Sequence, residues 1–139
     1  MKVKDVMTKN VTYVNPATTV TETAHLMQMH NIGAIPVCDQ SGVVGIVTDR
    51  DIVVRTVAPG KNPQMTTVKD VMTAGVSTVS PDMDIKDVTK QMANSQIRRV
   101  PVLENNTLVG IVALGDVAVD AKYDTEVAET LINISKPTK

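Results

Sequence analysis

The chain contains very few aromatic residues and only one cysteine. It has no Trp and no Phe, and its two Tyr are Tyr13 and Tyr123. The core must therefore be built from aliphatic side chains and Met, and no wall of aromatic rings is available to hold a flat ligand. Because Cys38 has no second cysteine with which to pair, an internal disulfide is excluded, and we expect a reducing compartment, the cytoplasm.

An excess of one charge and long apolar runs are also missing. The chain has 14 Lys and Arg against 15 Asp and Glu, whereas proteins that bind nucleic acid usually carry a basic stripe. No apolar run reaches the roughly 18–20 residues of a membrane span. Residues 1–8 lack the apolar segment of a secretory signal. We therefore expect a soluble protein that binds neither nucleic acid nor membrane.

An internal repeat with an offset of 65 residues is the strongest pattern in the sequence. The segment VKDVMT occurs at 3–8 and again, unchanged, at 68–73, and 19 of the 52 aligned positions are identical. Two copies are too few for a solenoid, so they predict two like units facing each other about a pseudo-two-fold axis, with equivalent loops meeting at a central cleft. The other matching blocks are 11–16 with 76–81, 32–37 with 97–102 and 43–52 with 108–117.

Each half shows the same order of strand and helix signals, which predicts an α+β fold of two pseudo-symmetric β-α-β-β-α units. Thr19 and Glu22 form a capping box at the start of a helix, and Asp84 and Asp87 take the same positions in the second half. Apolar residues at helical spacing follow each cap, namely Val20, Ala24 and Met27 in the first half and Ile85, Val88 and Met92 in the second. The other elements predicted in the first half are a strand at 11–14, strands at 34–38 and 43–48 around a turn at 39–42, and a helix at 49–57.

These elements divide the chain into three parts. The first repeat spans 1–60 and the second spans 61–123, with a polar linker rich in Pro and Gly near the boundary. Residues 124–139 form a tail, in which we expect a helix from Glu126 to Ile134.

The sequence offers no catalytic or metal-binding constellation. Acid–base catalysis needs titratable groups that converge, yet His25 and His30 lie on different faces of one predicted helix. Cys38 has no Cys or His partner at the spacing of metal ligands. We therefore expect neither an enzyme nor a metal centre.

The segment Gly45–Asp51 marks the corner where an apolar strand passes into a helix. Such a corner exposes backbone N–H groups that suit a phosphate. Thr48 could donate its hydroxyl to the same anion, and Asp51 offers two acceptor oxygens for a vicinal diol such as a ribose. The alternative is purely structural, with Thr48 as the helix cap and Asp51 as an acid of the first turn. The second repeat keeps the acid as Asp116 but has Ala113 in place of the hydroxyl residue.

Arg98 and Arg99 stand at the entrance of an otherwise aliphatic strand, where the first repeat has Gly33 and Ala34. Arginine suits bidentate contact with a phosphate. The alternative is a solvated pair that protects the edge of a strand from aggregation.

Taken together, the two halves resemble a tandem pair of CBS domains, the motif named after cystathionine β-synthase and also called a Bateman module. The residues that carry the resemblance are the VKDVMT openings, VTYVNP and VSTVSP, the Ile-Pro-Val and Val-Pro-Val strands, and GIVTDRD with its copy GIVALGD. The resemblance implies two units packed through their sheets, commonly paired into a disc-shaped homodimer. It also implies binding of an adenosine-containing ligand such as AMP, ADP, ATP, NAD or S-adenosylmethionine.

The resemblance to CBS domains also implies the positions of two ligand sites. In the first, Thr48 would bind phosphate, Asp51 would bind ribose, and Arg98 and Arg99 would reach the phosphates across the cleft. The contacts to the base in this site would come from Met7, Asn10, Thr12, Ile32, Gly33 and Ala34. The second site would use Asp116, Met72, Gly75, Ser77 and Ile97.

The function that follows is a regulatory module that senses an adenosine-containing nucleotide between its repeats, without a cofactor of its own. Since the chain holds no effector domain, we expect its output to go to a protein partner or to an oligomeric state. The alternative is a self-associating scaffold with degenerate sites and no ligand. Because the second site lacks the hydroxyl, at Ala113, we expect the first site to bind more tightly.

Overall fold

The two halves of the chain form the same succession of elements. The computed structural model describes residues 1–119 and 123–137. The first half contains α1 (Val3–Val6), α2 (Val20–His30), β1 (Ala34–Asp39), β2 (Gly42–Thr48) and α3 (Asp49–Ile52), which continues as a π-helical turn (Val53–Val57). The second half contains a 3₁₀ turn (Val68–Asp70), β3 (Thr73–Ala74), α4 (Ile85–Ser95), β4 (Arg99–Glu104), β5 (Thr107–Ala113), α5 (Leu114–Ala118) and α6 (Asp124–Ser135). The predicted α+β fold class is confirmed.

The long helices α2 and α4 begin where the capping residues predict. The Thr19 hydroxyl accepts a hydrogen bond from the Glu22 N–H at 3.1 Å, and the Asp84 carboxylate accepts one from the Lys86 N–H at 2.8 Å. The buried face of α2 differs in one position from the prediction, because Thr23 is fully buried and Ala24 only partly so. Thr23 tolerates burial since its hydroxyl donates to the Thr19 carbonyl at 2.9 Å.

The hairpins of the two repeats share one register. Ala34 pairs with Thr48 in β1–β2, and Arg99 pairs with Ala113 in β4–β5, which are equivalent positions at the offset of 65 residues. Both hairpins carry an irregularity directly after equivalent residues, Val37 and Val102. The duplication seen in the sequence is therefore reproduced in the backbone.

The strand predicted at 11–14 is wrong in extent. Only Val14 pairs with β1, in a single parallel bridge to Val37. The chain turns immediately afterwards, where the Asn15 N–H donates to the Thr18 hydroxyl at 3.2 Å and the Asn15 side chain accepts from the Ala17 N–H at 2.8 Å. The turn ends the pairing directly after Val14, and residues 11–13 belong to no strand.

The described residues group into two compact units that do not follow the repeat boundaries. The first-repeat unit comprises Thr12–Val76, and the second-repeat unit comprises Met1–Val11 with the described residues from Ser77 onward. In the first-repeat unit, β3 pairs with β2, although β3 begins at Thr73, the last residue of the second VKDVMT segment. In the second-repeat unit, Thr8 forms a bridge with Ile111. Each repeat thus contributes its leading segment to the unit that contains the other repeat's hairpin.

Each unit has its own aliphatic core, as the composition predicts. The core of the first-repeat unit consists of Val14, Val20, Met27, Ile35, Val37, Val47, Val68 and Val71. That of the second-repeat unit consists of Val3, Val79, Ile85, Val88, Met92, Val100, Val102, Val112, Leu114, Val117 and Tyr123. Among these buried residues Tyr123 is the sole aromatic one, so aliphatic packing supplies most of the apolar burial in both units.

The tail forms the expected helix, which extends slightly beyond the predicted bounds as α6 and packs on α4. The buried Thr130 hydroxyl lies 3.1 Å from the Thr89 carbonyl and 2.7 Å from the Glu126 carbonyl, both of which can accept its proton. A cavity of about 530 Å³ lies along these two helices and is lined by polar side chains of both charges, including Lys86, Lys90 and Glu126. Within 1–119 and 123–137, no helix has the length and apolarity needed to cross a membrane.

Candidate functional site

The corner between β2 and α3 is closed by a reciprocal pair of hydrogen bonds. The Asp51 N–H donates to the Thr48 hydroxyl at 3.1 Å, and the Thr48 N–H donates to Asp51 Oδ2 at 3.0 Å. The structural role considered for this pair is therefore real. The cap leaves hydrogen-bonding capacity for a ligand. The Thr48 hydroxyl accepts one bond and can still donate its proton, and Asp51 Oδ1 is not used in the cap. The two roles are compatible.

The corner of the second repeat keeps half of this arrangement. The Ala113 N–H donates to Asp116 Oδ2 at 2.9 Å, which reproduces the bond between Thr48 and Asp51. Alanine has no hydroxyl to accept the reciprocal bond. The retained acid is thus explained by backbone capping alone, and its presence in both repeats is not by itself a sign of ligand binding.

The helices that follow the two corners are short. α3 has four α-helical residues and α5 has five. Few peptide dipoles are aligned in such helices, so the macrodipole contributes little to the binding of an anion. Any phosphate at these corners would depend on individual N–H and O–H donors.

The start of β1 lies beside the same corner. Ala34 is the cross-strand partner of Thr48, and the Asp49 N–H donates to the Gly33 carbonyl at 3.0 Å. A Cβ atom on Gly33 would lie 2.9 Å from Asp49 Oδ2, so the glycine permits this approach. Ile32 precedes them and packs against the first core. Part of the predicted first site is therefore a continuous surface of one unit.

The structure distributes the remaining predicted residues over both units. Thr12 lies in the first-repeat unit, two residues before the bridge that Val14 forms with β1. Met72 and Gly75, which the resemblance assigned to the second site, lie in this unit as well. The second-repeat unit contains Met7, Asn10, Ser77, Ile97, Arg98, Arg99 and Asp116. The contributions of Met7, Asn10, Arg98 and Arg99 to a site around Asp51 remain predictions, as does the second site.

The methionines of the two VKDVMT segments occupy equivalent places. A Cβ atom on Gly45 of β2 would lie 2.7 Å from the Met72 sulfur, and one on Gly110 of β5 would lie 2.6 Å from the Met7 sulfur. Three residues beyond each methionine the backbone turns with positive φ, 56° at Asn10 and 69° at Gly75. Each VKDVMT segment therefore lies close to a hairpin at its methionine, and its backbone turns three residues later.

Arg98 and Arg99 are both exposed. The Arg98 carbonyl accepts a hydrogen bond from the Leu114 N–H at 2.8 Å, the bond equivalent to that between Asp49 and Gly33. Their side chains thus stand in solvent at the edge of the second corner, which fits both a phosphate-binding pair and a solvated pair.

One residue at the first corner was not expected from the sequence. Arg55, in the π-helical turn, donates from Nη1 to the Val71 carbonyl at 2.9 Å and to the Met72 carbonyl at 3.1 Å. The same nitrogen lies 3.8 Å from Asp51 Oδ1. No local pattern indicates these bonds, because the partners are 16 and 17 residues away in the chain.

The surroundings of Asp39 and Cys38, outside the corner, shift the pKa values of these two side chains. Hydrogen bonds from the Ser41 side chain and then from its backbone lower the pKa of Asp39 in the β1–β2 turn. Burial, with a smaller contribution from the charge of Asp39, raises the pKa of the Cys38 thiol. His25 and His30 are exposed. In the described part of the chain, no three His, Cys, Asp or Glu side chains are arranged to hold a metal ion.

The family model of the CBS domain matches this chain twice, at residues 3–56 and 68–119. A CBS domain-containing protein of Bacillus subtilis, YhcV, is 47% identical over 133 residues, which cover 96% of this chain and 94% of that protein. The chain therefore belongs to the CBS-domain family, as a tandem pair of CBS domains.

Two solved structures connect this fold with bound ligands. The crystal structure of Hypoxic Response Protein I with two coordinated zinc ions has a TM-score of 0.79 and 36% identity, and covers 86% of this chain and 98% of that one. The CBS domain pair of MJ0100 was solved in complex with 5′-methylthioadenosine and S-adenosyl-L-methionine. It has a TM-score of 0.76 and 30% identity, and covers 86% of this chain and 94% of that one.

Proposed function

We propose that this chain is a non-catalytic regulatory module that binds an adenosine-containing small molecule at the corner formed by Thr48 and Asp51. The observation that carries the proposal is Asp51 itself. Its Oδ2 is fixed by the Thr48 N–H at 3.0 Å, and the side chain is only 13% exposed. A carboxylate held in this way presents Oδ1 in a defined direction, as recognition of a ribose hydroxyl requires.

The surroundings of Asp51 suit an adenine ring without aromatic stacking. Ile32 and Gly33 are half-buried and offer aliphatic surface and backbone just before β1, whereas Ala34, its first residue, is buried. The complex of the MJ0100 CBS pair with two adenosine derivatives supports the same class of ligand for this chain.

The experiment is differential scanning fluorimetry with AMP, ADP, ATP, NAD and S-adenosylmethionine on the wild type, Asp51→Asn and Asp116→Asn. A ligand that binds only the folded state adds about 2.7 kcal/mol of stability at a hundredfold excess over its Kd. We expect a rise in the Tm of the wild type with at least one compound. The rise should be largely lost in Asp51→Asn and mostly retained in Asp116→Asn, because the second corner lacks the hydroxyl.

The variants need a control for lost capping. Both substitutions weaken the acceptor of one equivalent backbone bond, so both should lower the Tm of the ligand-free protein, Asp51→Asn slightly more because it also loses the ion pair with Arg55. An equal loss of the ligand effect in both variants would contradict the ranking of the two sites. Absence of any shift in the wild type would contradict nucleotide sensing.

The second candidate is a self-associating module without a ligand, and one observation favours it. Val53, Val54 and Val57 are exposed together on the π-helical turn, where an apolar surface could contact another molecule. The expected homodimer would use such a surface in either case. Sedimentation equilibrium measures the mass of the assembly with and without the compound that raises the Tm. A constant mass indicates a scaffold, and a mass that changes with the compound indicates association controlled by the ligand.

A further inference from the structure

Arg55 links the helical segment that contains Asp51 to the segment 71–73 of the first-repeat unit. Through Nη1 it donates to the carbonyls of Val71 and Met72 at 2.9 and 3.1 Å, and it lies 3.5 Å from the Thr73 hydroxyl. The same nitrogen is 3.8 Å from Asp51 Oδ1, the carboxylate oxygen that the cap leaves unused. One guanidinium group therefore lies between the leading segment of the second repeat and the proposed ribose acceptor.

We propose that Arg55 is a positioning residue of the nucleotide site, which orients Asp51 and holds segment 71–73 beside it. This inference rests on the proposed function. Arg55 acts through Asp51 and is not itself assigned a bond to the ligand.

The segment that Arg55 holds has little other support. Its strand, β3, has two residues, and its ladder with β2 consists of two pairs, Gly45 with Ala74 and Ile46 with Thr73. A ladder this short orders the backbone weakly. Bonds from a charged guanidinium to carbonyl oxygens are stronger than neutral ones, so Arg55 supplies the restraint that the strand pairing lacks.

The same geometry limits the freedom of Asp51. With Oδ2 bonded to the Thr48 N–H and Oδ1 facing a cation, rotation of the carboxylate would cost both interactions. A ligand hydroxyl that donates to Oδ1 then meets an acceptor already in place, and less conformational entropy is lost on binding.

The second repeat cannot reproduce this arrangement because it has no arginine at the equivalent position. The position equivalent to Arg55 is Asp120, which lies outside the described residues and whose side chain has no N–H to donate. This difference adds to the missing hydroxyl at Ala113 and predicts that the first site binds more tightly.

The test compares Arg55→Gln and Arg55→Lys with Arg50→Gln. Arg50 is an exposed arginine of α3, so its substitution removes the same charge from the same corner but leaves the bonds to Val71 and Met72. Isothermal titration calorimetry with each of AMP, ADP, ATP, NAD and S-adenosylmethionine gives Kd. Amide hydrogen exchange of residues 72–74, without ligand, reports the restraint on the segment.

We expect Arg55→Gln to weaken binding about tenfold, the loss of roughly one charge-assisted interaction, and to accelerate exchange at 72–74. Arg55→Lys should fall between Arg55→Gln and the wild type, and Arg50→Gln should match the wild type in both measurements. Wild-type affinity in Arg55→Gln would overturn the positioning role but not the proposed function. If Arg55→Gln fails to fold, wild-type affinity in Arg55→Lys has the same meaning. If the wild type binds none of the five compounds, the proposed function fails and the positioning role falls with it.

Discussion

At the scale of single residues, two buried threonines that look alike in the sequence differ in the hydrogen bonding of their hydroxyl groups. Thr23 and Thr56 are both fully buried in the first-repeat unit. The Thr23 hydroxyl donates to the Thr19 carbonyl at 2.9 Å. The Thr56 hydroxyl, in the π-helical turn, has no hydrogen-bond partner within the described residues. The first burial is compensated and the second is not.

Thr56→Val should therefore stabilise the protein, because it replaces an unpaired buried hydroxyl with a methyl group of nearly the same size. We expect a gain of about 1 kcal/mol in the free energy of unfolding, measured by urea denaturation. The matched control is Thr23→Val, which removes a satisfied hydroxyl and should give no such gain. A loss of stability in Thr56→Val would show that this hydroxyl is hydrogen-bonded in solution.

The residues of the first corner show how far sequence reasoning reaches. The strand-to-helix pattern indicated Thr48 and Asp51 correctly as neighbours, because their reciprocal bonds span only three residues. Arg55 was missed, although its spacing of four residues from Asp51 is a local signal for an ion pair; only its bonds to Val71 and Met72 join distant parts of the chain. Bonds of that kind depend on tertiary packing, which single-residue patterns do not encode.

At the scale of elements, the two glycines in the middle of the hairpins are required for a close approach. A Cβ atom on Gly45 would lie 2.8 Å from the Thr73 carbonyl oxygen, and one on Gly110 would lie 2.9 Å from that of Thr8. These contacts involve backbone, so a change of side-chain rotamer at the neighbouring methionine cannot relieve them.

Gly45→Ala and Gly110→Ala should each destabilise the protein by about 1–3 kcal/mol, the usual cost of overpacking a buried site. The control is Gly115→Ala in α5, where a Cβ atom meets nothing within 4 Å and where alanine favours the helix by up to about 1 kcal/mol. Thermal unfolding followed by circular dichroism measures all three. Equal Tm values for Gly45→Ala and Gly115→Ala would contradict the close approach.

Helices and hairpins were predicted well because their signals are local. The caps at Thr19 and Asp84, the paired strands and the tail helix all appear close to the expected positions. The strand at 11–14 was overestimated, since β-rich composition does not reveal that Val14 alone among these residues pairs with β1. The change from α to π geometry at Val53 likewise has no signature in the sequence.

At the scale of the whole molecule, the compact units and the sequence repeats differ. Residues 12–76 form one unit, whereas the first repeat in sequence ends near residue 60. The core of that unit includes Val68 and Val71 from the second VKDVMT segment. Repeat alignment defines which segments are alike, but not which of them pack together.

This difference predicts the behaviour of fragments. Fragment 12–76 contains a complete core, and many domains of about 55–65 residues fold alone. We expect it to show helical circular dichroism and a cooperative thermal transition. Fragment 1–60, which lacks Val68 and Val71, should show neither. The control is Val71→Asp in fragment 12–76, and similar folding of both fragments would contradict the grouping.

The exchange of leading segments bears on how such a chain could have arisen. A single ancestral repeat would have lacked the segment that completes its own core and would have presented its own segment to another molecule. Its stable form would then have been a reciprocally exchanged pair of identical chains. Gene duplication and fusion would have converted that concentration-dependent pair into one chain. The two halves would then have been free to diverge, which agrees with Thr48 and Arg55 in the first repeat and Ala113 and Asp120 in the second.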